Sequence, residues 1–412
     1  MTAPLDVATI KRDFPILAKE VNGKRLVYLD SASSAQKPRA VLDAMDFVYR
    51  DHYANIHRGV YAIAEEATVD YEAARRKVAR FVNATDTAEI VFTRNATEAV
   101  NLVAYTWARA NLRAGDPIVL SHLEHHANVV PWHMLAAERG VELRWIPLTA
   151  DFRLDLTHLD QLLDGAKLLA ISAMSNVLGT INDIRLLADA AHAAGAQVLV
   201  DACQYVPHVA TDVQAWDADF IAFSAHKMCG PSGIGALWAR RGLLEAMPPF
   251  LGGGEMIRDV RLDGFTPNDV PWKFEAGTMP IVEAVGFGAA VDYMTTLGMD
   301  AVRAHEQELT KYALAALTDT FGDELTIYGP TDTAVRGGAV SFLFEGIHAH
   351  DVSQVLDEDA VCIRAGHHCA KPLMRQLGVP ATTRASFYVY NDEADVDILI
   401  EALGKAKKFF QT

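Results

Sequence analysis

The chain has 412 residues, half of them hydrophobic and 22% charged, with a formal net charge of −16 at pH 7. This length predicts two domains rather than one compact core, and the acidic balance argues against broad binding to nucleic acid or acidic membranes. No stretch approaches an unbroken membrane span, and the first residues lack a signal-peptide pattern. The four cysteines, at 203, 229, 362 and 369, lack the spacing of a disulfide framework or zinc site. We therefore expect a cytoplasmic protein without a metal.

Between about residues 85 and 240, apolar runs typical of strands alternate with helical patterns. The predicted strands lie at residues 89–92, 117–120, 168–171, 197–200 and 220–223, and the helical stretches include residues 97–110, 130–139 and 184–194. Continuous apolar strands with helical crossovers indicate a mainly parallel sheet that is covered on both faces. Ligands of such sheets bind beyond the carboxyl ends of the strands.

The remainder of the chain predicts a second, smaller domain. Residues 241–290 are rich in glycine and proline, and a helical pattern from about Gly286 leads to predicted strands at 339–344 and 361–363. The last helix is expected from about Asp395. We expect a large domain at residues 23–290 and a small domain built from residues 1–22 and 291–412.

Lys227 and Asp201 each follow one of the predicted strands. A lysine amine can form a Schiff base with the aldehyde of pyridoxal phosphate, and an acid can hold the pyridine nitrogen protonated. A lysine considered alone is more often a solvated surface charge. The pairing with Asp201 favours the cofactor.

Two further groups of residues fit the same cofactor. The strand-to-helix junction at residues 93–98 offers an anion site to a phosphate, with the Thr97 hydroxyl as a donor; the alternative is that Thr97 only caps the helix. Ser224 and His226 could add phosphate donors. His125 could stack on the ring and transfer protons, or it could be a core histidine or a metal ligand with His122. Asn176 and Gln204 could reach the phenolic oxygen, or each could be a buried amide that holds loops together.

Cys369 lies in a predicted loop, Arg364-Ala365-Gly366-His367-His368-Cys369-Ala370. An exposed thiol beside imidazoles can be partly thiolate and nucleophilic. An inert buried cysteine, a His–Cys metal site and an incidental surface thiol are the alternatives. Cys203 is expected to face the other side of the sheet end. Arg384 could bind a carboxylate through two parallel hydrogen bonds, or it could form a surface ion pair.

Together these motifs resemble the SufS-type (group II) cysteine desulfurases, which are class V aminotransferase-like enzymes of pyridoxal phosphate fold type I. The resemblance covers nearly the whole chain and includes residues 28–32, 55–59, 124–128, 175–180, 201–204, 224–227, 274–278 and 364–370. The Gly366-His367-His368-Cys369-Ala370 stretch is the most specific of these motifs. Two positions depart from the commonest pattern, Ala96 in place of threonine and Met279 in place of proline.

The resemblance implies an α/β fold, with a mainly parallel seven-stranded sheet in the large domain and a smaller α+β C-terminal domain. It implies conversion of L-cysteine to L-alanine with a persulfide on Cys369, and sulfur supply to iron–sulfur cluster assembly through a SufE- or SufU-like acceptor protein. It also implies a homodimer.

The resemblance assigns roles residue by residue. Lys227 forms the Schiff base, Asp201 pairs with the pyridinium, His125 stacks on the ring, and Gln204 approaches the phenolic oxygen. Phosphate is bound by Thr97, Ser224 and His226, with Thr278 supplied from the other subunit. Substrate is bound by Asn176, Arg58, Arg364 and Arg384, of which Asn176 and Arg384 hold its carboxylate. The alternatives are a selenocysteine lyase or another pyridoxal-phosphate-dependent β-elimination enzyme, and a sulfur-relay or scaffold protein without the cofactor.

Overall fold

The computed structural model describes residues 4–410. The predicted small domain includes residues 1–3 and 411–412, which lie outside the described residues. The first strands of the chain are short: β1 (Glu20–Val21), β2 (Lys24–Arg25) and β3 (Val27–Tyr28). Strands β1 and β2 pair with each other as an antiparallel hairpin.

A seven-stranded sheet follows. Its strands are β4 (Ile90–Thr93), β5 (Pro117–Ser121), β6 (Glu142–Ile146), β7 (Leu168–Ser172), β8 (Gln197–Asp201), β9 (Phe220–Ser224) and β10 (Gly235–Ala239). The spatial order is β4-β10-β9-β8-β7-β5-β6, and β10 runs antiparallel to its two neighbours. The other pairings are parallel. The predicted α/β fold with a mainly parallel seven-stranded sheet is confirmed.

Helices cover both faces of this sheet, and further helices lie in the N-terminal and C-terminal parts of the chain. They are α1 (Val7–Asp13), α2 (Arg39–Asp51), α3 (Ala62–Phe81), α4 (Ala96–Val103), α5 (Arg109–Asn111), α6 (Val130–Arg139), α7 (Leu159–Leu163), α8 (Ile184–Ala193), α9 (Val213–Trp216), α10 (Arg241–Ala246), α11 (Ile281–Leu297), α12 (Met299–Phe321), α13 (Ala349–Glu358), α14 (Lys371–Leu377) and α15 (Glu393–Phe410). Two apolar clusters, one on each face, bury the strands. The central strands are therefore apolar along most of their length rather than at alternate positions, while the edge strand β6 carries Glu142 and Arg144 and is only partly buried.

The C-terminal part of the chain contains a second sheet. After the exposed hairpin β11 (Ile257–Arg261) and β12 (Gly264–Pro267) come β13 (Leu325–Tyr328), β14 (Ala339–Phe344), β15 (Val361–Cys362), β16 (Arg364–Gly366) and β17 (Thr382–Ser386). Strands β13, β14, β17 and β16 form an antiparallel sheet in that order. The loop predicted at Arg364–Gly366 is wrong, because pairing with β17 extends this segment as a strand.

The N-terminal segment contacts the C-terminal part. Strand β3 pairs in parallel with β15, and Ile10 and Phe14 belong to an apolar cluster with residues 388–390. These contacts bring the start of the chain beside the second sheet, while the expected domain limits stay a prediction. Within residues 4–410, no helix is both long and apolar enough to cross a membrane.

Candidate active site

A cavity of about 430 Å³ lies beyond the carboxyl ends of the parallel strands, where the two sheets approach each other. Most of the side chains predicted for the site line it: Thr97, His125, Asn176, Asp201, Gln204, Ser224, His226, Lys227, Arg364, Cys369 and Arg384. Arg58 and Thr278 are exposed and lie outside this lining. A single chain therefore brings together the residues predicted to bind the cofactor and the predicted nucleophile Cys369. It does not bring Arg58 or Thr278 to the same cavity.

Lys227 and Asp201 are held by adjacent parallel strands. Asp201 is the last residue of β8, and Lys227 ends the short 3₁₀ turn that follows β9. The Asp201 carboxylate is buried and accepts a hydrogen bond from the Cys203 N–H at 3.0 Å. Burial raises its pKa above the ordinary value, and the charge of Lys227 opposes this increase. The pair provides an amine and a buried acid within one cavity.

The start of α4 forms an anion cradle at one end of the cavity. Asn95 caps the helix, since its Oδ1 accepts the Glu98 N–H at 3.0 Å, and Thr97 is left exposed to the cavity. The Ser224 Oγ accepts the Ala96 N–H at 2.9 Å. Thr97 is therefore not the cap, and its hydroxyl lies beside the helix N-terminus, where a phosphate is favoured.

His226 lies near this cradle as a neutral imidazole. Burial, followed by the charges of Lys227 and Lys37, lowers its pKa to about 4. Its Nδ1 lies 3.3 Å from the Ser34 Oγ. A neutral ring keeps one N–H donor, which fits a contribution to phosphate binding.

His125 is also neutral near physiological pH. Burial, and next the charge of Lys227, lowers its pKa to about 3. Its Nδ1 accepts the Ala127 N–H at 3.0 Å, which leaves the proton on Nε2. Among residues 4–410, the group of three or more side chains with atoms close enough to share a metal ion is Asp51, His52 and Glu66, and it includes neither His122 nor His125.

Arg384 and Asn176 link the two sheets at the other end of the cavity. Arg384 lies on β17 and donates from Nη1 to the Asn176 carbonyl at 2.8 Å. The Asn176 amide in turn donates to the His368 carbonyl at 2.7 Å. Arg384 is buried, so it is not the surface ion pair considered as an alternative. Its Nε is buried and has no partner among the described residues. The residue lines the cavity, where a guanidinium suits a ligand carboxylate.

Cys369 is an exposed thiol in a turn that borders the cavity. His368 and Cys369 have φ of 49° and 55°, a left-handed conformation that turns the chain after β16. The turn is fastened by its backbone, since the Cys369 carbonyl accepts the His126 N–H at 2.7 Å. Burial, followed by the charge of Arg384, lowers the pKa of His368 to about 3, so this imidazole is neutral. Exposure excludes the inert buried cysteine.

Sequence reasoning missed three residues of the site. Cys203 lines the cavity, and its Sγ lies 3.7 Å from the Ser224 Oγ, so the expectation that it faces away from the site is wrong. Asp30 and Ser33 also line the cavity and contact Arg384. Asp30 lies in a quoted motif, but its contact is with a residue far along the chain. A local pattern carries no signal for such a contact.

The lining fits pyridoxal phosphate. A lysine amine, a buried carboxylate, a neutral imidazole and an anion cradle with hydroxyl donors lie around one cavity. A buried arginine that lines the cavity, Arg384, supplies a place for the carboxylate of an amino acid. These groups match the aldehyde, pyridine nitrogen, ring and phosphate of the cofactor.

Comparison with known proteins agrees with this arrangement. Residues 27–399 match the model of the aminotransferase class-V family. A probable cysteine desulfurase of Streptomyces coelicolor is 50% identical over 412 residues, with 98% of each chain covered. A cysteine desulfurase of Haloferax volcanii is 47% identical, with 99% of this chain and 98% of the relative covered.

Solved structures show the same similarity. The apo structure of the cysteine desulfurase from Thermococcus onnurineus has a TM-score of 0.93 at 36% identity, covering 98% of this chain and 99% of that one. The structure of the cysteine desulfurase CsdA (S-sulfonic acid) from Escherichia coli has a TM-score of 0.91 at 40% identity, covering 99% and 100%. The chain therefore belongs to the aminotransferase class-V family and is a homologue of cysteine desulfurases.

Proposed function

We propose that this protein is a pyridoxal-phosphate-dependent cysteine desulfurase, which converts L-cysteine to L-alanine and keeps the sulfur as a persulfide on Cys369. The observation that carries the proposal is the exposed Cys369 thiol at a cavity that also holds Lys227 and the buried Asp201. A thiol in that position reaches a substrate that the other two residues engage.

The cofactor would be held by Lys227, Asp201 and Gln204, with His125 against its ring and Thr97, Ser224 and His226 at its phosphate. When bound, it supplies an aldehyde that captures the substrate amine and a ring that accepts electron density. The proposed contribution of the protein is to place the substrate, to move protons and to provide the nucleophile.

Each step after binding uses a residue that lines the cavity. Arg384 and Asn176 orient the substrate carboxylate, and the amine of Lys227 takes the α-proton. The Cys369 thiolate attacks the substrate sulfur, so an S–S bond forms while the C–S bond breaks and its electron pair stays on carbon. Protonation of that carbon, and return of a proton from Lys227 to the α-carbon, give alanine, and the persulfide remains on the protein.

The finer assignments extend this proposal. We infer a SufS-type enzyme in the cytoplasm that passes sulfur to a SufE- or SufU-like acceptor for iron–sulfur cluster assembly. We also infer a homodimer, in which Thr278 and Arg58, both exposed in one chain, would complete the site of the other chain. The division into residues 23–290 and residues 1–22 with 291–412 belongs to the same proposal.

Mass spectrometry after cysteine treatment tests the role of the thiol. The wild-type protein should gain the mass of one sulfur atom on the peptide that contains Cys369, and Cys369→Ser should not. Cys362→Ser is the matched control, because Cys362 is partly buried and lies outside this cavity. Full persulfide formation in Cys369→Ser would overturn the proposal, and a colourless protein that binds no added cofactor would exclude the enzyme.

Removal of the same thiol distinguishes the desulfurase from the selenocysteine lyase alternative. Cys369→Ala should be compared with wild type on L-cysteine and on L-selenocysteine. Selenide leaves more readily, so a lyase would keep its activity on selenocysteine without the thiol. Equal loss on both substrates would support the desulfurase.

A further inference from the structure

Asp30 lies between two arginines at the edge of the cavity. Its Oδ1 accepts from Arg384 Nη2 at 2.9 Å, and its Oδ2 accepts from Arg364 Nε at 3.1 Å. Arg364 and Arg384 are direct partners in the pairing of β16 with β17, so both side chains leave the same face of the small sheet. The carboxylate therefore holds two neighbouring cations that would otherwise repel each other.

The backbone of Asp30 is tied to the strand that carries Arg384. Asp30 forms a parallel bridge with Ser386, and the Ser386 N–H donates to the Leu29 carbonyl at 2.8 Å. The Ala32 N–H donates to the Ser386 Oγ at 3.0 Å. These bonds place the carboxylate before any ligand arrives.

The hydrogen bonds of Arg384 show what this carboxylate achieves. Nη2 donates to both Asp30 and the Ser33 Oγ, the latter at 2.7 Å, and Nη1 donates to the Asn176 carbonyl. Nε, which is buried, has no partner among residues 4–410. The guanidinium is thus fixed through both Nη atoms, while the Nε hydrogen and one Nη1 hydrogen have no acceptor among the described residues.

The charges around Arg384 also favour a fixed guanidinium. Burial lowers the pKa of Arg384, and Asp30 opposes this effect. Without Asp30, the buried guanidinium would lack a charged partner and would face Arg364 directly, an arrangement that disfavours a fixed geometry.

We propose that Asp30 is a positioning residue that presents Arg384 to the substrate carboxylate, and that it thereby makes the site select amines that carry an α-carboxylate. This inference rests on the proposed function, because it takes Arg384 to bind the substrate. Asp30 acts through the arginine and is not itself a catalytic residue.

The test compares two ligands that differ only in the carboxylate. S-methyl-L-cysteine and 2-(methylthio)ethylamine share a side chain that lacks a free thiol. The holoenzyme is titrated with each while its absorbance is followed. In Asp30→Asn, the dissociation constant of the amino acid should rise about tenfold, the size of one lost charge-assisted contact. That of the amine should change less than about twofold, so the preference for the carboxylate falls.

Steady-state kinetics adds a second readout. In Asp30→Asn, the KM for L-cysteine should rise about tenfold with a much smaller change in kcat, because the lost contact acts on binding. Asp30→Glu keeps the charge and should recover part of the ligand preference. Asp359→Asn is the matched control, since Asp359 also bridges two cations, Lys24 and Lys405, but lies outside the cavity.

The outcomes separate the two proposals. Unchanged ligand preference in a folded Asp30→Asn overturns the positioning role, and so does an equal loss for both ligands. If Asp30→Asn does not fold, Asp30→Ser carries the test, because it also removes the carboxylate, and wild-type preference in that variant together with a wild-type KM contradicts the role. A wild-type holoenzyme that releases no alanine from cysteine would instead overturn the proposed function.

Discussion

At the scale of single residues, Glu124 shows how burial changes the pKa of a carboxylate. Its carboxylate accepts from Ser121 Oγ at 2.5 Å, Asn128 Nδ2 at 2.7 Å, Ser172 Oγ at 2.8 Å and Ser172 N–H at 3.1 Å. It therefore joins the ends of β5 and β7 to the turn that contains His125. Burial raises its pKa from 4.5 to about 7, although the hydrogen bonds oppose the shift.

This shift predicts a pH dependence of stability. An acid whose pKa is raised by folding contributes most below its unfolded pKa, and the contribution is lost as pH rises through the folded value. The melting temperature of wild type relative to Glu124→Gln should therefore fall as pH rises from 4.5 to about 7. Glu308→Gln changes an exposed glutamate and serves as the control. Parallel melting curves for wild type and Glu124→Gln would contradict the prediction.

His125 gives a second prediction at this scale. Its pKa of about 3 means that it does not change charge between about pH 5 and about pH 8. His125→Gln should lower kcat without removing a pH-dependent limb from the rate profile in that range. Loss of such a limb would show that His125 titrates there.

At the scale of elements, the turn before α4 depends on a glycine in another strand. A Cβ on Gly235 would lie 2.7 Å from the Phe223 carbonyl oxygen and 2.8 Å from the Asn95 Cα. Strand β10 therefore packs directly against the residue that caps α4. The phosphate cradle and strand β10 of the large sheet therefore form one unit.

Gly235→Ala should displace this turn. We expect a loss of about 1–3 kcal/mol in stability from overpacking, together with weaker retention of the cofactor, measured by dialysis and absorbance. Gly242→Ala is the matched control, because a Cβ there meets nothing within 4 Å, and in a helix it should be neutral or stabilising by about 0.5–1 kcal/mol. Equal cofactor retention in both variants would contradict the prediction.

At the scale of the whole molecule, the N-terminal segment fastens the C-terminal part of the chain. Phe14 is fully buried and contacts the rings of Tyr390 and Tyr293 edge-on, at centroid distances of 4.8 and 5.8 Å. The Tyr390 hydroxyl lies 2.8 Å from the Ser31 Oγ, next to Asp30. The packing of Phe14 therefore reaches the edge of the active-site cavity.

Phe14→Ala should destabilise the protein by about 3–5 kcal/mol, because a buried ring is replaced by a cavity. Ile16→Ala, in the same segment but with a 43% exposed side chain, should cost much less. Thermal unfolding of the two variants checks this. A similar melting temperature for both would show that the segment contributes little to the fold.

Much of the fold could be predicted from the sequence, because its signals are local. The buried strands are continuous apolar runs, and Asp201 and Lys227 directly follow two of them. Strand β16 could not be predicted in the same way. Its residues Arg364–Gly366 do not form an apolar run, and they are extended only because they pair with β17.

By itself, the sequence determined the chemistry that is available: a lysine and an acid after adjacent buried strands, and a thiol in a polar turn. The reason is that strand pattern and turn composition depend on neighbouring residues. Only the tertiary structure decided which groups meet. The pairing of β16 with β17 brings Cys369 and Arg384 to the cavity, and the bridge from Asp30 to Ser386 places a carboxylate between two arginines. Such contacts join residues far apart in the chain, so packing and backbone pairing determine them rather than any local pattern.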